Sequence, residues 1–354
     1  MKVLISGASV AGPALAYFLH RNGFDVTVVE RAPAARDNGY AVDFRGEALD
    51  VLAEMGILDE IRRHETKMRG TTLIDETGAE IGQLPAESFA GELEVPKRAL
   101  TRILHENTSA TVEYVFGDSI SALAEHASGV TVAFEHAPAR EFDLVFGADG
   151  VYSTVRRLAF GPHDEMLCHL GLSGAGFSTA NHLGLDHTGL LQSAGTTAIY
   201  LFSAEDRDRL TVSLSFATDS PELDRRDRPD QEQAVRAAFA RNGWQTKHLL
   251  EAMTTAEDFH FGSSCQVHLD HWSQGRIALV GDAAYCAAPT SGMGTSQALI
   301  GARTLARTLA EAPNDHLTAF AAYETELRPY ITENQANGRA AVAMFGGAAD
   351  SSGR

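Results

Sequence analysis

Residues 2–30 read KVLISGASVAGPALAYFLHRNGFDVTVVE, and this stretch decides the fold. Lys2 to Ser6 is a short apolar run of strand character, and Gly7 to Gly12 is a tight turn. Val10 to His20 then carries apolar residues at helical spacing. Pro13 is tolerated because it falls in the first turn, and Gly23 stands just past the end. Phe24 to Glu30 is β-branched and extended. Strand, turn, helix and strand in that order make the parallel, right-handed unit of doubly wound α/β sheets.

The turn carries a chemical expectation. Gly7-Ala-Ser9-Val-Ala11-Gly12 opens a helix whose free amides and dipole favour an anion such as a pyrophosphate. Glu30 closes the next strand at the spacing of an acid that grips a ribose hydroxyl. Ser9 replaces the second glycine of the strict pattern and hinders close backbone approach. A plain βα turn, with Glu30 as a solvated strand end, is the alternative reading of these residues alone.

Further along, 47–62 reads as a helix interrupted near Gly56, and 71–84 as a hairpin turning at Thr77-Gly78. Val95 to His105 reads as a helix started by Pro96, followed by strands over 112–115, 131–135 and 143–146. Alternation between 167 and 218 signals sheet, and helices are expected over 231–242 and 245–253. A buried strand over 276–280 precedes helices over 294–309 and 317–331, the latter extending toward Met344 before a Gly/Ala/Ser tail. The expected architecture is α/β: a Rossmann-like nucleotide domain over 1–70, 96–165 and 262–354, interrupted by a β-rich substrate layer over 71–95 and 166–261.

The chain has 354 residues, 44% hydrophobic and 21% charged, enough apolar content to offset ordering entropy, so disorder is excluded as its main state. Its 29 basic and 47 acidic residues give a net charge of −18, which provides no general attraction for nucleic acid. Cys168, Cys265 and Cys286 form no CxxC pair, and an odd number suits a reducing cytoplasm better than a disulfide framework. The apolar run Val10 to Leu19 is broken by Gly12 and Pro13 and is too short to span a bilayer. With no leader pattern, neither a membrane partner nor a targeting segment is expected. The 14 histidines give no HExxH, and no metal site is expected.

Two further segments carry chemistry. In GADGVYSTVRR (147–157), Asp149 stands at a strand's carboxyl end, where it can contact a ligand, and Gly150 permits a sharp turn; a common β-turn is the alternative. In WSQGRIALVGDAAYCAAPTSGMGTSQA (272–298), a buried strand delivers Asp282 to its carboxyl end, where a carboxylate can accept hydrogen bonds from a polyol chain. Pro289 stiffens the loop, and Gly292, Met293 and Gly294 present amides at a helix start, able to stabilise negative charge on a reduced ring system.

These three motifs, spanning Lys2 to about Arg339, resemble the FAD-dependent single-component aromatic hydroxylases of the para-hydroxybenzoate hydroxylase fold. Within that group the resemblance is to the branch with the tetracycline-inactivating monooxygenases and actinobacterial tailoring enzymes. The resemblance implies tightly bound, non-covalent FAD. The ADP half would lie on Gly7, Ser9, Ala11, Gly12, Glu30 and Arg31, and the ribityl chain on Asp282. Pro289 would lie beside the isoalloxazine, with Gly292 to Gly294 at its pyrimidine edge. It assigns Asp149 to Arg156 to both FAD and the nicotinamide donor. A cation that holds the flavin or its phosphates falls on Lys97, where relatives carry Arg, with Arg98 next to it. Tyr285 replaces a His of many relatives and is expected to tune rather than abolish function. NGYAVDFRG (38–46) matches the loop beside the flavin and the donor's path, and Arg45 is the expected functional cation, with Pro289, at the reacting centre. A helix-capping surface Arg is the alternative for Arg45.

The implied activity is an NADPH- or NADH-dependent, O2-consuming hydroxylation of a small aromatic or polyketide-like substrate through a flavin hydroperoxide. Phe177, Leu183, Leu185, Leu191, Tyr200, Phe202 and Phe216 supply apolar surface for such a molecule or core for the sheet. A flavin-binding protein without turnover, and a halogenase or oxidase of the same fold, are the competing readings. A flavin disulfide reductase lacks its cysteine pair. Monomer and homodimer are both compatible with the sequence.

Overall fold

A computed structural model describes residues 1–34, 41–204 and 206–347. The expected strand, turn, helix and strand are present as Lys2–Ser6, Ala11–Arg21 and Asp25–Glu30. The two strands pair in parallel, Val3 opposite Val26 and Ile5 opposite Val28. On the other side of Lys2–Ser6 lies the parallel strand Leu144–Gly147, followed by Ile277–Leu279. Glu113–Phe116 extends the far edge beside Asp25–Glu30, and Ser273–Gln274 adds a short antiparallel edge, giving six strands. The interiors of three central strands, Val3–Ile5, Val26–Val29 and Leu144–Gly147, are buried and almost wholly apolar, as strands covered on both faces are.

The second layer is a seven-stranded sheet built from Thr71–Ile74, Glu80–Leu84, Leu167–Ala180, Thr188–Ala194, Thr197–Ser203, Arg209–Ala217 and His260–Val267. Alternation sends Ile199, Leu201, Val212 and Leu214 to one face, where they pack with Val235 and Phe239 beside the Arg228–Ala238 helix and with Leu249 and Met253 of Thr246–Thr255. Phe177 and Phe216 belong to this core, and Leu183 and Leu185 pack against it, so these four residues are packing rather than pocket wall. Tyr200 and Phe202 point to the opposite face, stacked at 5.2 Å, with Phe89 stacked on Tyr200 at 5.1 Å.

Several boundaries shift. Val95 and Pro96 end the strand Leu93–Pro96, and the helix begins at Lys97, because a proline locked at φ −59 with extended ψ caps it. The strands Ile120–His126 and Arg140–Phe142 join Gly129–Phe134 in a three-stranded sheet that the sequence reading missed. The final helix runs His316–Ala340 with Pro329 inside it, and the stretch expected to extend it toward Met344 is the 3-10 helix Ala341–Phe345. His260–Val267 runs across the division expected between residues 261 and 262. Leu93–Pro96 pairs with Ala41–Phe44 in a separate ribbon rather than with the large sheet. Asn38, Gly39 and Tyr40, and the tail beyond residue 347, lie outside the described residues.

Candidate functional site

The carboxyl ends of the parallel strands meet at one crevice, because consecutive connections leave Lys2–Ser6 toward opposite sides of the sheet. The first strand ends in Gly7, whose φ of +107 is open to glycine, and a Cβ there would lie 2.4 Å from the Ala148 carbonyl oxygen. At position 12 a Cβ would fall 1.9 Å from the Gly7 carbonyl oxygen. The turn is therefore drawn tightly against the helix start. Val10 provides no side-chain cap to Ala11–Arg21, so the first amides face the crevice beside Ser9.

Glu30 is fastened within this turn: its carboxylate accepts from the Ala8 amide and from the Ala32 amide, each at 2.9 Å. Arg31 follows at the strand end and is exposed.

Asp282 opens the short helix Asp282–Tyr285 directly after the Ile277–Leu279 strand. It is surrounded by protein on most sides, yet keeps a face open to water at the crevice floor. Burial raises its pKa, opposed by the positive charge of Lys97 and by a hydrogen bond with Cys286. Lys97 is half-buried at its helix start, whereas Arg98 is exposed, so Lys97 is the cation brought to Asp282. Gly281 packs against the glycine turn: a Cβ on it would lie 3.1 Å from Cβ of Ala11. Gly294 stands across from Asp282, its own Cβ position 3.8 Å from Oδ1.

The loop between them is strained. Ala288 adopts φ +71 and ψ 153, a region almost reserved for glycine, and the Ser291 amide and hydroxyl hold its carbonyl oxygen at 3.1 and 2.8 Å. Pro289, next in line, is exposed, and Gly292 and Met293 are half-buried beside it.

Asp149 differs from expectation. Its carboxylate is consumed internally, accepting from the Thr154 amide at 2.8 Å, the Val155 amide at 3.2 Å, the Ser6 hydroxyl at 3.3 Å and the Ser153 hydroxyl. It staples the ends of two strands to the start of the Thr154–Ala159 helix. Arg156 is fully buried and donates to the carbonyls of Ala283 at 2.9 Å and Val151 at 2.6 Å. The segment thus supports the Asp282 helix from behind, and Arg156 presents no group to the crevice.

Tyr285, expected to tune rather than abolish function, points into the core. It is buried, its hydroxyl lies 3.0 Å from that of Tyr323, and burial pushes its phenol up to about 12. A Cβ at Gly301 would lie 1.9 Å from the Tyr285 hydroxyl.

Arg45 does reach the loop region. Its Nε donates to Asp43 Oδ2 at 2.8 Å, and its amide donates to the Ser296 hydroxyl at 3.2 Å. Asp43 in turn sits 3.7 Å from where a Gly292 Cβ would be. The sequence reading passed over Asp43 and its cross-strand partner Glu94; alternation in AVDF and LEVP, with both acids on the same face of a ribbon, was the available signal.

The crevice fits a dinucleotide with an attached polyol and ring: a helix N-terminus without a side-chain cap, a turn that admits no added Cβ, and an open carboxylate beside a lysine. Among the described residues no group of three or more His, Cys, Asp or Glu is arranged to hold a metal ion, and no helix is long and apolar enough to cross a membrane.

Comparison with known proteins agrees. The family model described as "FAD binding domain" matches residues 1–338. An uncharacterized protein of Mycobacterium tuberculosis (strain ATCC 25618 / H37Rv) is 42% identical over 339 residues, covering 94% of this chain and 91% of its own. A flavin-dependent monooxygenase from an unknown prokaryotic organism is 38% identical over 341 residues, covering 95% and 88%. The crystal structure of the tetracycline destructase Tet(55) superimposes with a TM-score of 0.89 at 36% identity, covering 98% of this chain and 90% of that one.

Proposed function

The chain belongs to the FAD binding domain family, among its flavin-dependent monooxygenases, and from that premise we propose that it uses NADPH or NADH and O2 to hydroxylate a small aromatic or polyketide-like substrate. The observation that carries the proposal is the convergence of the Gly7–Gly12 turn, Lys97 and Asp282 on one crevice. When bound there, FAD supplies the path by which a nicotinamide donor's electrons reach O2 and one oxygen atom reaches the substrate.

The chain's own groups bind and orient. Amides at the start of Ala11–Arg21, with Ser9 and Gly12, would hold the pyrophosphate, and Glu30, with Arg31 next to it, would hold the ribose. Asp282 would accept from the ribityl hydroxyls, the positive charge of Lys97 opposing the upward push of burial on its carboxyl. Gly294 would offer its amide at the start of the Gly294–Glu311 helix to the ring edge, whereas the amides of Gly292 and Met293 are taken by the Pro289 carbonyl and the Ser291 hydroxyl at 3.1 Å each, so those two residues would shape the loop, and Pro289 would wall the reacting face. Arg98, one residue on, is exposed and would lie toward an outlying phosphate. Asp149 acts through the helix it staples rather than by touching the cofactor. Arg45 serves the donor. The domain built on the six-stranded sheet holds the cofactor, and the layer built on the seven-stranded sheet carries the substrate. Tyr200, stacked between Phe89 and Phe202, is its aromatic wall.

The test is the absorbance spectrum of the purified protein, followed by anaerobic addition of NADPH and then NADH. Bound FAD that bleaches and recovers in air supports the reading. FAD that no donor bleaches, even with aromatic substrates and tetracyclines present, points to a binding protein. Failure to take up flavin on reconstitution overturns the assignment of the crevice.

A further inference from the structure

Asp43 and Glu94 stand directly opposite one another across the antiparallel ribbon of Ala41–Phe44 and Leu93–Pro96. Their neighbours Val42, Phe44, Leu93 and Val95 are buried on the other face. Two carboxylates in that relation repel. Arg45 compensates Asp43 at 2.8 Å, whereas the contact of Glu94 is neutral, the Thr66 hydroxyl donating to Oε2 at 2.5 Å. Burial raises both carboxyls; Arg45 opposes the rise at Asp43, and at Glu94 the Thr66 bond opposes it while the charge of Asp43 adds to it.

The Tyr200 phenol of the large sheet feels the charge of Glu94. His187 Nδ1 lies 2.6 Å from the Thr66 carbonyl oxygen, and the Glu92 carboxylate accepts from the Gly46 amide at 2.7 Å. From the 289–294 loop, Gly292 presents backbone alone to Asp43. The Arg45 guanidinium is about one-third exposed (34%), and its bond to the Glu87 carbonyl is long at 3.4 Å. It is poised between an internal acid and an external anion.

We propose that Asp43 and Glu94 are positioning residues that form a proton-accepting pair, and that release of Arg45 to an anionic phosphate of the nicotinamide donor is coupled to uptake of one proton by that pair. The inference rests on Arg45 as the donor's partner. With Arg45 on Asp43, its charge permits both carboxyls to ionise. When the guanidinium turns to the donor, two facing carboxylates in a half-buried ribbon lose their cation, and one proton from solvent enters and is shared between them, as like-charged acid pairs require. No covalent bond forms or breaks. Donor affinity consequently falls as pH rises, by about tenfold per pH unit across the window in which the pair accepts the proton.

The experiment titrates flavin-loaded protein with NADP+ and, separately, NAD+, in weak buffer containing a pH indicator. One proton taken up per nucleotide bound is expected in the wild type. Uptake is expected to vanish in Glu94→Gln and in Asp43→Asn, which keep one carboxyl each, with unchanged FAD per protein as the control for folding. Infrared spectra of Arg45→Ala should show a protonated carboxyl stretch that Glu94→Gln/Arg45→Ala lacks. Proton-free binding by the wild type, or full uptake in Glu94→Gln, overturns the acid pair. If Arg45→Ala binds both nucleotides as the wild type does, the reading of Arg45 fails and the coupling fails with it; a carboxyl stretch persisting in that variant then separates this from a misplaced pair.

Discussion

The guanidinium of Arg156 donates to the carbonyl oxygen of Ala283 across 2.9 Å, with no water-facing surface of its own. The segment after one central strand thereby fixes the residue next to Asp282 at the end of another. Arg156→Met removes the buried charge but leaves the Ala283 and Val151 carbonyls unpaired, at about 1–3 kcal/mol for each buried acceptor. A lower urea midpoint is expected, together with weaker FAD retention on gel filtration. Unchanged retention would confine Arg156 to stability.

Gly12→Val is expected to lose FAD. Its Cβ would fall 1.9 Å from the Gly7 carbonyl oxygen, so the turn must open before a phosphate arrives. Overpacking of this kind costs about 1–3 kcal/mol, and circular dichroism with flavin absorbance separates a folded apoprotein from an unfolded chain.

Asp282 gives a pH test with a definite sign. Its folded pKa is raised above the ordinary 3.8 by burial, so the folded apoprotein holds more protons than the unfolded chain in the window between the two values. Stability from this group is therefore complete below 3.8 and is lost as pH rises through the folded value. Asp282→Asn apoprotein is expected to melt above the wild type at neutral pH, the gap closing toward about pH 4, while its FAD affinity drops. A gap that does not change with pH contradicts the assignment.

Ala288→Gly relieves a backbone strain of order 1–3 kcal/mol, less up to about 1 kcal/mol for the greater entropy of glycine when unfolded. A net gain of about 1 kcal/mol is expected in denaturant titration. The loop before Pro289 should loosen at the same time, read as faster flavin release.

The first strand, turn, helix and strand were legible because a parallel unit stamps apolar runs and glycine turns onto contiguous residues. Lys2–Ser6 and Asp25–Glu30 follow the reading within a residue. Gly56, with φ +73, breaks the 47–62 helix where expected. What failed was set by distant partners. Ile120–His126 is exposed along most of its length, so its alternation is weak and pairing with Gly129–Phe134 defines it. Asp149 was read as ligand-facing because spacing does not reveal that Ser6, from more than a hundred residues away, spends its hydroxyl there. The burial of Tyr285 was hidden for the same reason: Tyr323 and Gly301, which receive it, come later in the chain.

The Tyr285 phenol occupies the volume that a methyl group at 301 would need. Positions 285 and 301 therefore behave as one unit of substitution: alanine at 301 requires a smaller or differently aimed side chain at 285. Exchange of Tyr285 for histidine empties a slot that alanine at 301 can refill. Anyone placing histidine at 285 on this scaffold must change residue 301 with it, or leave a void beside the helix that carries Gly301.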